Sequence, residues 1–572
     1  MSKLPKIVLA LTLFLWGYSY KTEAQDLEQI KNYGLKKGVK ISGGLNVNTV
    51  YNSAISNYSN PINYFVSGIV NFKVFGFDVP VSINYSNRVF SYSQPFTYNY
   101  VSVNPRYKWA NATLGTTFMS FSPYTLNGHQ FTGAGLTLTP KHWNVRLMYG
   151  RLLQAQEAND SLKIAGNYRR MAWGIKTQYK ADKWTLGFTA FHANDDENSL
   201  LFPPKKLPQA KQNLVLGLDF ETTLIKNLQL NFEYTSSALI LDKRSALTET
   251  LSDVSLSGKF LPQNPSMQAF NALKTGINYR IEASKSLIGV QYERVEPNYQ
   301  TLGAYYFVND FENVTTQFTQ ELMGGKLNFN GSLGLQHDDL FNKNSSQQNR
   351  VVGAAQLNYV PNKKLNLGLL FSNFTAYKYI KTAFDEIRKL NPYEQIDTLN
   401  YKQITHNISG NFNYLITQDE DLVQSLSGMV TWMESVNIQG NIVRQGQLST
   451  FTNGNFNYVI QKPKQLLGLS GGINLSQNTI GTGNSISVGP MISIQKGLFE
   501  NTLNTQMGIS YIYTNDETTK TNANALNIRA NATCQWQKKH QIVYNLGFTN
   551  GKSGNENSRN YLSMTLGYGF KF

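Results

Sequence analysis

Tyr561-Leu562-Ser563-Met564-Thr565-Leu566-Gly567-Tyr568-Gly569-Phe570-Lys571-Phe572 is the stretch that decides the fold. Successive side chains of a strand point to opposite faces. Leu562, Met564, Leu566, Tyr568, Phe570 and Phe572 therefore share one side, and Tyr561, Ser563, Thr565, Gly567, Gly569 and Lys571 the other. One face is apolar and the other polar. A soluble sandwich uses the same alternation, but here an aromatic residue, Phe572, stands last in the sequence.

The same pattern recurs along the chain. Val39, Ile41, Leu45, Val47 and Tyr51 alternate with Lys40, Ser42, Gly44, Asn46 and Asn48. Ile404, Ile408, Phe412 and Tyr414 alternate with Thr405, Asn407, Ser409, Asn411 and Asn413, and Ile542 to Phe548 repeats the theme. Helical spacing fails in these segments, so each reads as a half-buried strand. The single cysteine, Cys534, excludes an internal disulfide framework. Mean hydropathy is −0.34, and beyond the N-terminal stretch no run approaches the roughly 18 apolar residues of a membrane helix. A membrane barrel accommodates such figures because only alternate residues meet lipid. The 33 Tyr, 32 Phe and 44 Gly suit strands whose aromatic residues form girdles at both interfaces.

The connections sort into two alternating kinds. Tight turns are expected near Gly76, Ala110, Lys141, Asp182, Lys226, Ala283, Gly325, Asn362, Gln418, Lys462, Gly497 and Lys538. Longer polar loops fall between them, including 52–61, 87–98, 119–131, 152–166, 193–210, 239–268, 295–311, 374–400 and 477–484. Twelve turns and thirteen loops join 26 strands, an even count that puts both termini on the side of the turns; a miscounted hairpin gives 24 or 28. The fold class is all-β: a transmembrane antiparallel up-and-down β-barrel of about 26 strands. A soluble propeller or sandwich array needs packed residues on both sides of its sheets, or a blade motif at fixed period. The turn spacing here is irregular.

Lys3 and Lys6 precede a short apolar stretch, Ile7 to Trp16, and Thr22-Glu23-Ala24 offers small residues for cleavage before Gln25. Residues 1–24 read as a signal peptide, 25–38 as a short periplasmic segment and 39–572 as the barrel, with no N-terminal plug domain. Removing 1–24 takes away three lysines and one glutamate, so the net charge falls from +16 to +14.

The amphipathic strand closing on Phe572 resembles the end of bacterial outer-membrane β-barrels. That resemblance implies that Tyr568, Phe570 and Phe572 form an assembly signal for the barrel-assembly machinery. It also implies that the last strand pairs with the first, near Val39, and that the termini are periplasmic. The Phe-Ser-Pro-Tyr-Thr-Leu-Asn-Gly-His segment (121–129), the Pro-Asn-Tyr-Gln-Thr-Leu-Gly-Ala-Tyr-Tyr segment (297–306) and the Tyr/Asn-rich strands are similar to large outer-membrane barrel proteins of Bacteroidota. This likeness implies a place in the outer membrane of a Gram-negative cell, in contact with its lipid. It transfers no functional residues.

If the apolar face is outside, the other lines a lumen. Lys40, Lys73, Arg106, Lys108, Arg146, Arg170, Lys176, Arg280, Lys326 and Arg529 are the basic inward candidates; Asp219, Glu233 and Glu293 are the acidic ones. A basic lumen in a low-dielectric wall attracts anions; alternatively these side chains reach for anionic headgroups from turns and girdles. Nucleic-acid binding has no motif to support it. Twenty-six tilted strands about 4.8 Å apart enclose roughly 50 Å if the section is round. Something must fill that space, either the chain's own loops or a plugging or surface partner protein.

Loops 239–268, 374–400 and 295–311 are long enough to fold inward. Thr382 and Asp385 have capping-box spacing, so a short helix is expected in the second. Tyr299, Tyr305, Tyr306, Phe307 and Phe311 crowd the third, and Tyr124 lies in 118–131. Such aromatic loops either stack on sugars or pack on themselves as a constriction.

Enzyme signals are thin, and no cofactor or metal is expected. The six histidines show no metal-ligand spacing. His406 faces outward while Ser409 faces inward, which does not make a lipase pair. Asp195-Asp196-Glu197 reads as a Ca²⁺ site or a solvated acidic loop. The expected function is passage: a channel or transporter for polar solutes, anionic or sugar-like, with loops constricting the lumen. The alternative is a non-conducting scaffold or secretion component whose lumen and loops bind partner proteins.

Overall fold

The computed structural model describes residues 40–53, 61–74, 76–87, 99–158, 166–202, 207–245, 255–305, 309–338, 340–341, 349–373, 404–435, 438–439, 442–443, 449–517, 520–554 and 557–572. Twenty-six strands form its wall. In order they are β1 (Lys40–Asn52), β2 (Ile62–Val74), β3 (Phe77–Ser86), β4 (Tyr100–Val103 continued by Arg106–Tyr107), β5 (Ala110–Met119), β6 (His129–Leu138) and β7 (Trp143–Leu153). Then come β8 (Arg169–Lys180), β9 (Trp184–Asp196), β10 (Gln212–Ile225), β11 (Leu228–Ile240), β12 (Met267–Ile281), β13 (Ser286–Val295) and β14 (Phe311–Leu322). The wall continues with β15 (Leu327–Asp338), β16 (Asn349–Asn362), β17 (Leu365–Ser372), β18 (Ile404–Gln418), β19 (Val423–Ser435) and β20 (Ser449–Lys462). It ends with β21 (Leu467–Ile480), β22 (Gly483–Leu498), β23 (Leu503–Asp516), β24 (Thr521–Trp536), β25 (His540–Ser553) and β26 (Arg559–Lys571).

Each strand pairs antiparallel with its sequence neighbours, and β26 pairs with β1 from Gly44↔Lys571 to Asn52↔Ser563. Two further bonds join the seam, because Gly43 and Phe572 exchange N–H to O contacts of 3.1 Å. The sheet is therefore closed, as the terminal strand implied. Closure leaves no row of unpaired backbone groups, the condition for lying in lipid. Pro105 divides β4: it has no N–H to donate, but its carbonyl still accepts from Ala112 at 2.9 Å, and the register runs through unchanged.

The outward face is apolar and uncovered. On β22 Ile486, Val488, Ile492 and Ile494 are exposed, as are Leu469, Ile473 and Leu475 on β21. A continuous apolar band of this kind requires lipid rather than water around it. Aromatic rings collect at the end with the short turns. Phe77 stacks on Tyr107 at 4.5 Å, Tyr179 lies between Trp143 and Trp184, and His540 lies against Trp536, Tyr568 and Phe570. The twelve connections at that end are two to four residues long. They turn tightly because residues such as Lys108, Asn227, Met323 and Leu466 adopt positive φ.

The thirteen connections at the other end run from two to thirty-one residues. One expectation is corrected there. The loop placed at 477–484 is a two-residue turn, Gly481-Thr482, because β21 and β22 stay paired out to Ile480↔Gly483. The signal peptide expected at 1–24, the segment 25–38, the short helix expected within 374–400, Tyr306 and Phe307 lie outside the described residues.

Inward faces carry a recurring device. Asn231, Asn278, Asn411, Asn457, Asn46 and Asn48 each lie directly opposite a glycine on the adjacent strand, and Asp219 lies opposite Gly187. A methyl group built on these glycines would come within 2.1–2.7 Å of the carboxamide or carboxylate oxygen. The short polar side chain lies flat over the glycine, so the wall stays thin and the lumen wide.

Candidate functional site in the barrel lumen

The largest fully buried side chains all fall between Thr125 and Tyr299. A soluble core would draw on the whole chain. Here it forms mainly where two loops of the end opposite the short turns fold inward onto β5–β14, while a third, with Ser257 and Leu261, packs on the outward side chains Leu214, Ser236, Ala238 and Ile240. Phe121 and Leu126, from the loop between β5 and β6, pack with Phe131, Met148, Ala172, Phe191 and Val215 of the wall. Tyr299, from the loop between β13 and β14, packs with Tyr124, Ala272, Val295 and Phe311.

The two loops, singled out separately in the sequence, hold each other. The Tyr299 hydroxyl donates to the Tyr124 carbonyl (2.8 Å) and the Thr301 hydroxyl to the Thr125 carbonyl (3.0 Å). Asn127 N–H donates to the Gly303 carbonyl at 2.9 Å. The approach is close at Gly303, where a methyl would meet the Thr125 carbonyl at 2.7 Å and the Phe191 ring at 3.0 Å. The wall supplies further anchors. Asn213 Oδ1 accepts from Leu302 N–H (3.0 Å), the Ser237 hydroxyl donates to the Gln300 carbonyl (2.6 Å), and Tyr305 Oη accepts from Gln130 N–H (3.0 Å).

Charged groups beneath the loops are committed to holding them. Lys176 Nζ donates to the Phe121 carbonyl at 2.8 Å and faces Asp219 at 3.2 Å. Arg146 donates to the Ser120 carbonyl at 3.1 Å. The Tyr124 hydroxyl donates to Glu293 at 2.6 Å. Burial, reinforced by the Glu293 carboxylate, holds the Tyr124 hydroxyl far above the usual tyrosine range. Burial alone pushes Tyr305 up to about 12, and it raises Tyr299 as well. In this sector the inward cations Arg146, Arg170, Lys176, Lys180, Lys274 and Arg280 are matched in number by Asp195, Asp219, Glu221, Glu233, Glu293 and Glu321.

The candidates of the sequence thus divide. Arg146, Arg170 and Lys176 belong to the packed sector; Arg170 grips Asp195 through two hydrogen bonds of 2.7 and 3.0 Å. Arg106 faces inward beside Asp78. Arg280 is the next-to-last residue of β12 and exposed. Lys108 and Lys326 are corrected from wall to turn positions. Lys108 takes positive φ between β4 and β5, with Nζ 5.2 Å from the Tyr107 ring centroid, and Lys326 follows the one-turn helix Met323–Gly325. Tyr124, Tyr299 and Tyr305 are packed against protein, Tyr305 lying 3.9 Å from the His129 ring.

Asp195, Asp196 and Glu197 each meet a cation: Arg170, Arg169 and Lys243 respectively. His406 stacks on Trp432 outside the wall, while the Ser409 hydroxyl bonds Thr431 on the inside. Tyr568 bonds His540 through its hydroxyl (2.7 Å), and the Phe570 and Phe572 rings lie 5.7 Å apart.

The opposite sector, β20–β26 with β1–β3, is a different surface. Its inward side chains include Asn46, Asn474, Gln506, Arg529 and Lys571, all exposed. Arg529 stands between Gly508 and Gly547 on the flanking strands. Inward charges here are Lys40, Lys73, Arg529, Arg559 and Lys571 against Asp78 and Asp516. The excess is positive. Alternation made the inward set legible from sequence, but its division into a packed and a solvated sector depends on which loops fold in.

No family model matches this chain, and no curated protein does. Solved structures similar to it include the translocation pore of the P pilus usher PapC, at 10% identity and TM-score 0.36 over 93% of this chain and 99% of that one. The ferric citrate transporter FecA is 8% identical, with TM-score 0.38, over 93% and 79%. OprD of Pseudomonas aeruginosa is 9% identical, with TM-score 0.28, over 68% and 94%. At such scores these likenesses carry no argument, and the fold rests on the strand register.

Proposed function

We propose that this chain is an outer-membrane channel for polar solutes, narrowed by its own loops and selective for anions. The observation that carries this reading is the asymmetry of the lumen. One sector is filled by loops whose cations are neutralised, and the other presents exposed amides and an excess of Lys and Arg. A positive field inside a low-dielectric wall concentrates anions. The short-turn end, with its ring of aromatic side chains, faces the periplasm in this reading. The test is the reversal potential of purified barrels in planar bilayers under a KCl gradient. Anion selectivity that weakens in Arg529→Glu supports the proposal; cation selectivity, or a potential unmoved by that substitution, contradicts it.

A second reading, a scaffold that binds partner proteins, draws on the exposed apolar side chains Leu201, Phe202 and Phe260 of the outer loops. A barrel that passes no current and co-purifies in fixed ratio with another protein from native membranes supports it.

A further inference from the structure

We infer that the lumen wall formed by β14–β17 holds a binding recess for one ring of a neutral sugar or similar polyol. The recess has a volume of about 250 Å³. Its cause is legible in the register. Gln317, Ser332 and Ala354 lie side by side on consecutive strands, and Thr319, Asn330, Gln356 and Leu370 form the adjoining row. Ser332 and Ala354 are small, and the longer Gln317, Asn330 and Gln356 stand around them. A hollow results.

Its chemistry differs from the rest of the lumen. Three primary amides and two hydroxyls line it, with no charged side chain. A carboxamide presents a donor and an acceptor side by side, which matches neighbouring hydroxyls of a sugar. Leu370 and Ala354 supply an apolar floor for the C–H face of a ring. The nearest inward charge on the same wall, Glu321, lies two residues along β14 from Thr319 and is held by Lys285 at 2.6 Å, on the side of the short turns. Farther along the Gln317 row, beyond Ser372, Asn407 is 4% exposed and its Oδ1 finds no hydrogen-bond donor among the described residues. Such a buried acceptor is satisfied by a hydroxyl donor. Small-molecule pockets commonly run from about 300 Å³ upward, so this recess suits one ring rather than a chain.

The inference rests on the lumen being water-filled, and it is tested without requiring conduction. Saturation-transfer NMR on the full-length barrel in detergent, with D-glucose as probe and D-glucuronate and glycerol alongside, reads binding directly. Glucose should bind with a dissociation constant on the order of millimolar, and glucuronate no better than glucose. Ala354→Phe, which fills the hollow, and Gln356→Leu, which removes an amide, should each weaken glucose binding at least about fivefold while leaving the heat-modifiable gel mobility of the folded barrel unchanged. Absence of transfer to glucose, tighter binding of glucuronate, or binding unmoved in folded Ala354→Phe overturns the inference. A barrel that conducts but does not bind glucose contradicts the recess alone; one that binds glucose without conducting contradicts the channel alone.

Discussion

Tyr124 joins the two inward loops to the wall. Its hydroxyl bonds the Glu293 carboxylate and its ring meets Tyr299 edge-on at 6.5 Å. Tyr124→Phe keeps the ring and strands a carboxylate, at a cost of about 1.5–3 kcal/mol. The variant should lower the thermal midpoint and make loop 120–128 more sensitive to added protease; an unchanged cleavage pattern would show that the bond does not hold the loop. Tyr305 gives a pH signature. Its hydroxyl is raised by burial, so the packed neutral form contributes stability that is intact below about pH 10 and is lost as pH rises through about 12. Absorbance titration should therefore show a late phenolate step that Tyr305→Phe removes, and a titration curve identical in the two proteins would count against the burial. The sequence marked both aromatic clusters but not their partnership. Contacts spanning about 175 residues have no local signal.

At the scale of strands, most of the architecture was readable. Period-two alternation gave the faces, and turn residues with Gly, Asn and Lys gave the connections, because both are local properties. Expectation and structure differ where local chemistry is overridden: at 477–484, where polar Gln477 and Asn478 remain in the ladder, and at Lys108 and Lys326, which extend an inward parity past the end of a strand. The amide-over-glycine pairs offer an internal control. Gly472→Ala places a methyl 2.2 Å from Asn457 Oδ1 and 2.6 Å from the Phe456 carbonyl, whereas Gly471 has nothing within 4 Å. Gly472→Ala should destabilise the barrel by about 1–3 kcal/mol and Gly471→Ala should not, as read from urea midpoints in detergent. Equal midpoints would remove the pairs as a determinant of the wall.

For the whole molecule, the account rests on a closed wall with one sector filled and the other open. Closure joins residues more than 500 positions apart, with Val47 opposite Tyr568 on the lipid face. The filled sector is neutral and the open one positive, a division that follows from packing and not from composition. The most direct measurement is an electron cryomicroscopy map of the chain in a lipid nanodisc. The account predicts 26 strands closed through the β1–β26 seam, loops 120–128 and 296–305 lying against β5–β14, and a continuous water-filled passage along β20–β26 and β1–β3. An unclosed sheet, or a lumen filled on the Arg529 side as well, would contradict it.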